Sequence, residues 1–529
     1  MKNIEGQIID IVRKEIFPGS ISIENGIICD IRRHPTTEQQ YLLPGFVDAH
    51  IHIESSMLPP AEYARVAMRS GTVAIVADPH EIANVCGVPG VRFMMGEADR
   101  TPLKICFAIP SCVPAAALCS SGAVLNADDV ANLLNDPHAY ALAEMMNVPG
   151  VLNQDPECLA KIQAALHRGK TVDGHAPVLT GNELISYINA GISTDHEATS
   201  VEEGAEKIEN GMKIIIRQGS TARNFDDLHP LIAKYPEQVM FCTDDQKACD
   251  LEQGHINNIV RQAVALGYNL FDVLRIASLN PVKHYRIPIG LLQVGDPADF
   301  IICDSIQDFK PKATYICGEE VSHTPFQPVS HCINNFKAPK ISVKDIADNL
   351  EDKRQLDVIQ AIDGQILTPH LVLNKGEFKD IQKIVVINRY NKKLRIGIGY
   401  IRGLHLDNGA LAQSIAHDSH HIIATGSSDA LIVKAVNQLI DMQGGIVVVD
   451  ETTCTELPLP IAGLMSNKPA NEVSDAQKRL VNHLHALHCP SSSPIVALSF
   501  MQLIVIPELK ITDQGLFDVN RFQYLTIGD

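Results

Sequence analysis

Residues 43–56 read LPGFVDAHIHIESS, an apolar run from Leu43 that ends in His50 and His52 and is followed by Glu54. Alternate residues of a strand share a face, so both imidazoles point the same way at the strand's end, where a packed strand ordinarily carries valine or leucine. Further along the chain the same kind of segment recurs. GFVDAHIHI, TVAIVADPH, PLKICFAIPS, YALAEMMN, TVDGHAP, GISTDHEA, MKIIIRQGS and VMFCTDD are short β-rich runs, several of them closing on a polar residue. Amphipathic stretches such as PECLAKIQAALHRGK, TGNELISYINAG and VEEGAEKIENG lie between them. Thr180 and Ser200 precede two of these stretches, and Glu183 and Glu203 follow three residues later, the pattern of a capping box.

Eight strand candidates separated by crossovers between residues 42 and 287 have the size and rhythm of a (β/α)8 TIM barrel, an α/β fold. The helical pattern NLFDVLRIASLNPVKHYRI closes it. Residues 1–41 and 288–335 read as short strands, with Asn25-Gly26 as a hairpin signal. Neither segment can form a core alone, so together they are expected to build a small composite β-sandwich flanking the barrel. Residues 346–529 form a further α/β-looking C-terminal domain: KIVVINRY, LRIGIGYIRG, SHHIIATG, the helix DALIVKAVNQLIDMQ, the strand GGIVVV and a last strand in FQYLTIG.

In a barrel the C-terminal ends of the strands converge on one mouth, where chemistry is kept. His50 and His52 end the first strand, Glu144 the fourth, His175 the fifth, His196 the sixth, and Asp244 with Asp245 the eighth. A lone histidine on a strand is more often a satisfied core residue, so it is the joint placement that points to metal. Four imidazoles and two carboxylates can hold two divalent first-row ions, bridged by a carboxylate. Such ions lower the pKa of bound water from 15.7 to about 7, which supplies hydroxide for hydrolysis.

The rest of the composition narrows the substrate. With 44 basic and 62 acidic residues the net charge is −18, which argues against nucleic acid and anionic membranes as partners and favours a small molecule. The N-terminus lacks a secretory h-region, and no run reaches the roughly 18 apolar residues of a membrane helix. Thirteen cysteines with no CxxC suit a cytoplasmic protein.

PGFVDAHIHIESSM, ADPHEIANV, EMMNVPGV, DGHAP, GISTDHEAT and CTDD resemble the amidohydrolase superfamily and, within it, the prokaryotic adenine deaminases. GALAQSIAHDSHHIIATGSSD, ELPLPIAGLMS and IPELKITDQGLFDV resemble that family's additional C-terminal domain. The resemblance implies hydrolysis of adenine to hypoxanthine and ammonia, a step of purine salvage, by metal-bound hydroxide attacking C6. It implies His50, His52, His175, His196, Glu144 and Asp244 as ligands, Glu144 as the bridge and Asp244 as the proton shuttle. Two divalent transition ions are implied, manganese first, with iron or zinc as the other candidates, and a homo-oligomer is expected. One departure is Tyr390, which stands where a histidine is expected in relatives.

Glu81 and His80 after the second strand and Arg217 after the seventh are candidates for holding the purine. The cluster His417-Asp418-Ser419-His420-His421 reads as a turn entering a strand, with a structural role or a contact at the barrel mouth. GIGYIRG lacks phosphate-loop spacing, and His52-Ile53-Glu54 lacks the P-C-x-x-C that a cytidine-deaminase zinc site requires. The alternatives are a cyclic-amide hydrolase of the dihydroorotase or hydantoinase type, in which a lysine is expected where Glu144 stands, and a non-catalytic scaffold, which would ordinarily have lost ligands.

Overall fold

The computed structural model describes residues 1–116, 118–348 and 350–525. The chain divides into two compact units. Met1–Pro79, Arg92–Cys112 and Leu125–Pro328 form the first; His80–Val91, Val113–Val124 and the chain from Val329 onward form the second. Among the described residues no helix is long and apolar enough to cross a membrane.

The first unit begins with strands β1 (Lys2–Asp10), β2 (Glu15–Glu24), β3 (Ile27–Arg33) and β4 (Tyr41–Pro44). Asn25 and Gly26 turn the β2–β3 hairpin with φ of 51° and 80°, the left-handed pair that an Asn-Gly turn supplies at little steric cost. Next come the strands the sequence pattern marks: β5 (Phe46–Ile51), β6 (Thr72–Ala77), β7 (Lys104–Ile109), β8 (Ala139–Met145), β9 (Thr171–Gly174), β10 (Thr194–Asp195), β11 (Lys213–Arg217) and β12 (Val239–Cys242). β13 (Phe300–Cys303), β14 (Pro311–Ile316) and β15 (Glu319–Glu320) return to the first group. Its order is β15-β14-β13-β4-β1-β2-β3, seven hydrogen-bonded strands drawn from the two chain segments expected to come together. β4 joins the two chain segments, parallel to β1 and antiparallel to β13.

β5 to β9 form a five-stranded parallel sheet and β10 to β12 a three-stranded one, each in chain order. Hydrogen bonds span both seams. Ser193 N–H donates to Val172 O at 2.9 Å and Gly174 N–H to Thr194 Oγ1 at 3.2 Å; on the other side Asp244 N–H donates to His50 O at 3.0 Å. Gly174 is required at the first seam, because a Cβ there would lie 2.3 Å from Thr194 O. The result is a TIM-barrel-like α/β arrangement. β6, TVAIVA, is buried along its whole length, as expected of a parallel strand covered on both faces. Ile214, Ile216 and Phe241 on the strands pack with Phe225, Leu228, Ile256 and Val260 from the surrounding helices.

Of the two expected caps, Ser200 forms, accepting from Glu203 N–H at 3.2 Å. Glu203 does not reach back to Ser200; its carboxylate accepts from Thr199 N–H instead. Thr180 makes no cap bond, since Gly181 turns left-handed at φ 61° and donates its N–H to Glu206.

The second unit carries an eight-stranded sheet whose neighbouring strands are antiparallel except for Gln355–Gln360 beside Ile396–Arg402. GIGYIRG therefore belongs to a strand, not a loop. Helix Asp429–Asp441, capped by Ser428, lays Ile432, Val436 and Leu439 on Val385, Ile387, Val447 and Val449. Of the last strand expected in 522–528, Gln523–Tyr524 form it, and 526–528 lie outside the described residues.

Lys510 is fully buried in this unit and donates to Ile366 O at 2.9 Å and Phe500 O at 3.2 Å. Burial lowers its pKa to about 7. The folded chain then releases a proton that the unfolded chain keeps up to about 10.4, so stability rises with pH between those values. Wild-type protein should gain about 2 kcal/mol relative to Lys510→Met between pH 7 and pH 9 in denaturant titrations. A wild-type minus variant difference that stays flat over that range would contradict this assignment.

Candidate metal centre

β5, β8, β9, β10 and β12 each deliver a polar side chain at or just beyond the C-terminal end, and the six expected ligands meet. Glu144 lies among them with one oxygen to each histidine pair. Its Oε1 is 3.9 Å from His50 Nε2 and 3.4 Å from His52 Nε2, while its Oε2 is 2.8 Å from His175 Nδ1 and 3.3 Å from His196 Nε2. Asp244 Oδ1 lies 3.4 Å from His50 Nε2 and 3.0 Å from His52 Nε2. All six are buried except His175, whose side chain is 17% exposed.

This donor set fits divalent cations. His50 Nε2 is buried without a hydrogen-bond partner although carboxylate oxygens surround it, an arrangement that is unfavourable unless a cation takes the lone pair. His52 Nδ1 lies 3.0 Å from Asp78 O, a carbonyl that can only accept. Nδ1 therefore carries a proton, and Nε2 is the ring atom that faces the carboxylates, as metal-ligating histidines are commonly oriented. Burial alone would raise the pKa of Glu144, yet hydrogen bonds from His175, His196 and His52 hold it well below the usual range. Asp244 is likewise held down against burial, chiefly by the Arg217 guanidinium. Burial would lower His175, but Glu197 and Glu144 push it up to about 9. Two ionised carboxylates buried among imidazoles describe a pocket that favours cations.

Arg217, a candidate for holding the purine, is bonded to groups of the chain itself. Nη1 donates to Asp244 Oδ2 at 2.6 Å and also to Glu197 Oε1, and Nε donates to Ala222 O. Its fork is taken up by these partners and it acts as their counter-ion. Asp245 Oδ1 accepts from Ser55 Oγ. Glu81 and His80 belong to the second unit, where Glu81 is bonded by His417 and His420. Tyr390 is in that unit too; its hydroxyl donates to Ser419 O and braces the 417–421 turn.

Two acidic residues were missed. Glu197 Oε1 lies 3.7 Å from His175 Nδ1 and 3.4 Å from His196 Nε2. Asp78 offers an oxygen within 4.8 Å of the ligand atoms of His52 and Glu144. The signal for Asp78 was its place directly after β6 in ADPHE, the position that singled out the other site residues.

Residues 41–321 match the amidohydrolase family, and residues 365–523 match the adenine deaminase C-terminal domain. The chain is 49% identical over 528 residues to the adenine deaminase of Sulfurovum sp. (strain NBC37-1), covering 98% of both chains. It is 45% identical over 550 residues to the adenine deaminase of Methanosarcina acetivorans, covering 100% of this chain and 99% of that one. Likeness at this level from end to end, over both the ligand-bearing strands and the C-terminal sheet, is that of relatives with one common architecture: the chain belongs to the adenine deaminase family of the amidohydrolases.

Proposed function

We propose that the centre hydrolyses adenine to hypoxanthine and ammonia. The observation that carries this is Glu144, one carboxylate set between two histidine pairs, in a chain similar over its whole length to adenine deaminases. His50, His52 and Asp244 would hold one divalent ion and His175 and His196 a second, with Glu144 shared between them; manganese is the first candidate, ahead of iron and zinc. Bound divalent ions make water acidic near neutral pH and so provide a nucleophile where carboxylates alone cannot.

The protein's own part is positioning and proton transfer. Asp244 Oδ2 is held by Arg217 and Oδ1 faces His50 and His52, and this fixed carboxylate is the group that takes a proton from the attacking water and delivers it to the departing amino nitrogen. Burial of the cluster excludes bulk water, which strengthens each of these interactions.

Stripping the protein with a chelator should abolish ammonia release from adenine, and two equivalents of Mn²⁺ per chain should restore it. A purine and dihydropyrimidine panel completes the test. Silence toward every purine together with turnover of a dihydropyrimidine would transfer the centre to cyclic-amide hydrolysis.

A further inference from the structure

The second unit contains a further buried cluster of imidazoles and carboxylates. Glu81, in the first turn of helix His80–Ala98, is 2% exposed and lies against the 417–421 turn. Its Oε1 is 2.6 Å from His417 Nδ1 and 3.6 Å from His80 Nε2, and His80 Nε2 is 4.0 Å from Asp418 Oδ1. Its Oε2 is bonded to His420 Nε2. The two carboxylates, Glu81 and Asp418, are thus shut away from water with imidazoles on several sides.

The tautomer of His420 separates ligand from support. Ala416 N–H donates to His420 Nδ1 at 3.1 Å, so Nδ1 is the acceptor and Nε2 carries the proton that goes to Glu81. His420 cannot offer Nε2 to a cation while this bond stands. It fixes Glu81 Oε2 instead, which turns Oε1 toward His80 and His417. The His417 ring is held as well, stacked on Phe500 at 4.7 Å with planes 14° apart.

We propose that His80 Nε2, Glu81 Oε1, His417 Nδ1 and Asp418 Oδ1 form a further divalent-cation site of the zinc type, with His420 orienting the glutamate. Two imidazoles and two carboxylates are a donor set zinc accepts, and ligand atoms of a tetrahedral site stand roughly 3.3 Å apart. The separations of 3.6 and 4.0 Å bracket that spacing from above, and the 2.6 Å contact opens by less than about 1 Å to reach it. One divalent ion also neutralises two buried carboxylates, which are costly to leave uncompensated away from water. His420 then stands in the place of the outer-shell groups that orient metal ligands.

The test is a metal count on the full-length protein, stripped and reloaded with Zn²⁺ alone. Wild type should hold one more equivalent per chain than His417→Ala or Asp418→Asn, whatever substrate the protein turns over. Equal counts in wild type and both variants overturn the site. Should a variant fail to fold, zinc-edge anomalous scattering from wild-type crystals decides: a peak bonded to Glu81 and His417 supports the site, and its absence there refutes it.

Discussion

Asp244→Asn is expected to lower kcat for adenine by roughly 10²–10⁴, the usual contribution of a positioned acid–base group, and to leave KM within a few-fold. Asparagine is chosen because Asp244 sits at φ 53°, in the left-handed region that Asn and Asp adopt more readily than other non-glycine residues. Its peptide is also part of the barrel seam, accepting from His52 N–H at 3.3 Å as well as donating to His50 O. The substitution therefore keeps the backbone and the seam while removing the charge and the capacity to carry a proton. Steady-state kinetics with metal content measured alongside separates lost chemistry from lost ions. A metal-replete variant within tenfold of wild type would remove Asp244 from the reaction.

Arg217→Gln should destabilise metal-free protein by about 3–5 kcal/mol at pH 7, the range for breaking a buried ion pair from one side. Arg217 is 5% exposed and joins Glu197 to Asp244, so its loss leaves two carboxylates buried without their counter-ion. The pH dependence has a definite sign. In wild type, against the pull of burial, Arg217 is the leading cause holding both acids down, so their stabilisation is present above the unfolded carboxylate pKa and is lost on acidification through the folded values. Without Arg217 those folded values rise and the variant recovers stability as the acids protonate. Denaturant titrations should accordingly show a deficit that shrinks from pH 7 toward pH 4. A deficit below about 1 kcal/mol, or one indifferent to pH, would mean the guanidinium is not their essential partner.

The six candidate ligands were legible because each stands at or beside the end of a β-rich run, and it was their joint placement rather than any one of them that singled them out. Period-two alternation puts Glu197 on the face opposite His196, but β10 ends at Asp195 and the alternation stops with it. Arg217 could be placed at the rim from the sequence, whereas its partners come from Glu197 and Asp244, 20 and 27 residues away, and pairing over such separations leaves no local trace. The caps show the same limit on a smaller scale: Ser200 and Thr180 carry the same pattern, and a single left-handed Gly181 decides against the second. Nor does any composition shift mark residues 80–91 and 113–124 for the second unit, since that grouping arises from packing. The His417–His421 cluster was visible as a cluster, but its partner Glu81, more than 330 residues earlier, was not.

The position of β4 between β1 and β13 has a consequence for how the chain is made. β1 to β4 leave the ribosome well before β13, so the outer edge of β4 stays unpaired until residue 303 has been synthesised. At 5–20 residues per second that wait is on the order of 10–50 s. Throughout it the nascent chain presents an open strand edge of the kind that recruits foreign strands, so products terminated before Phe300 should be prone to aggregate.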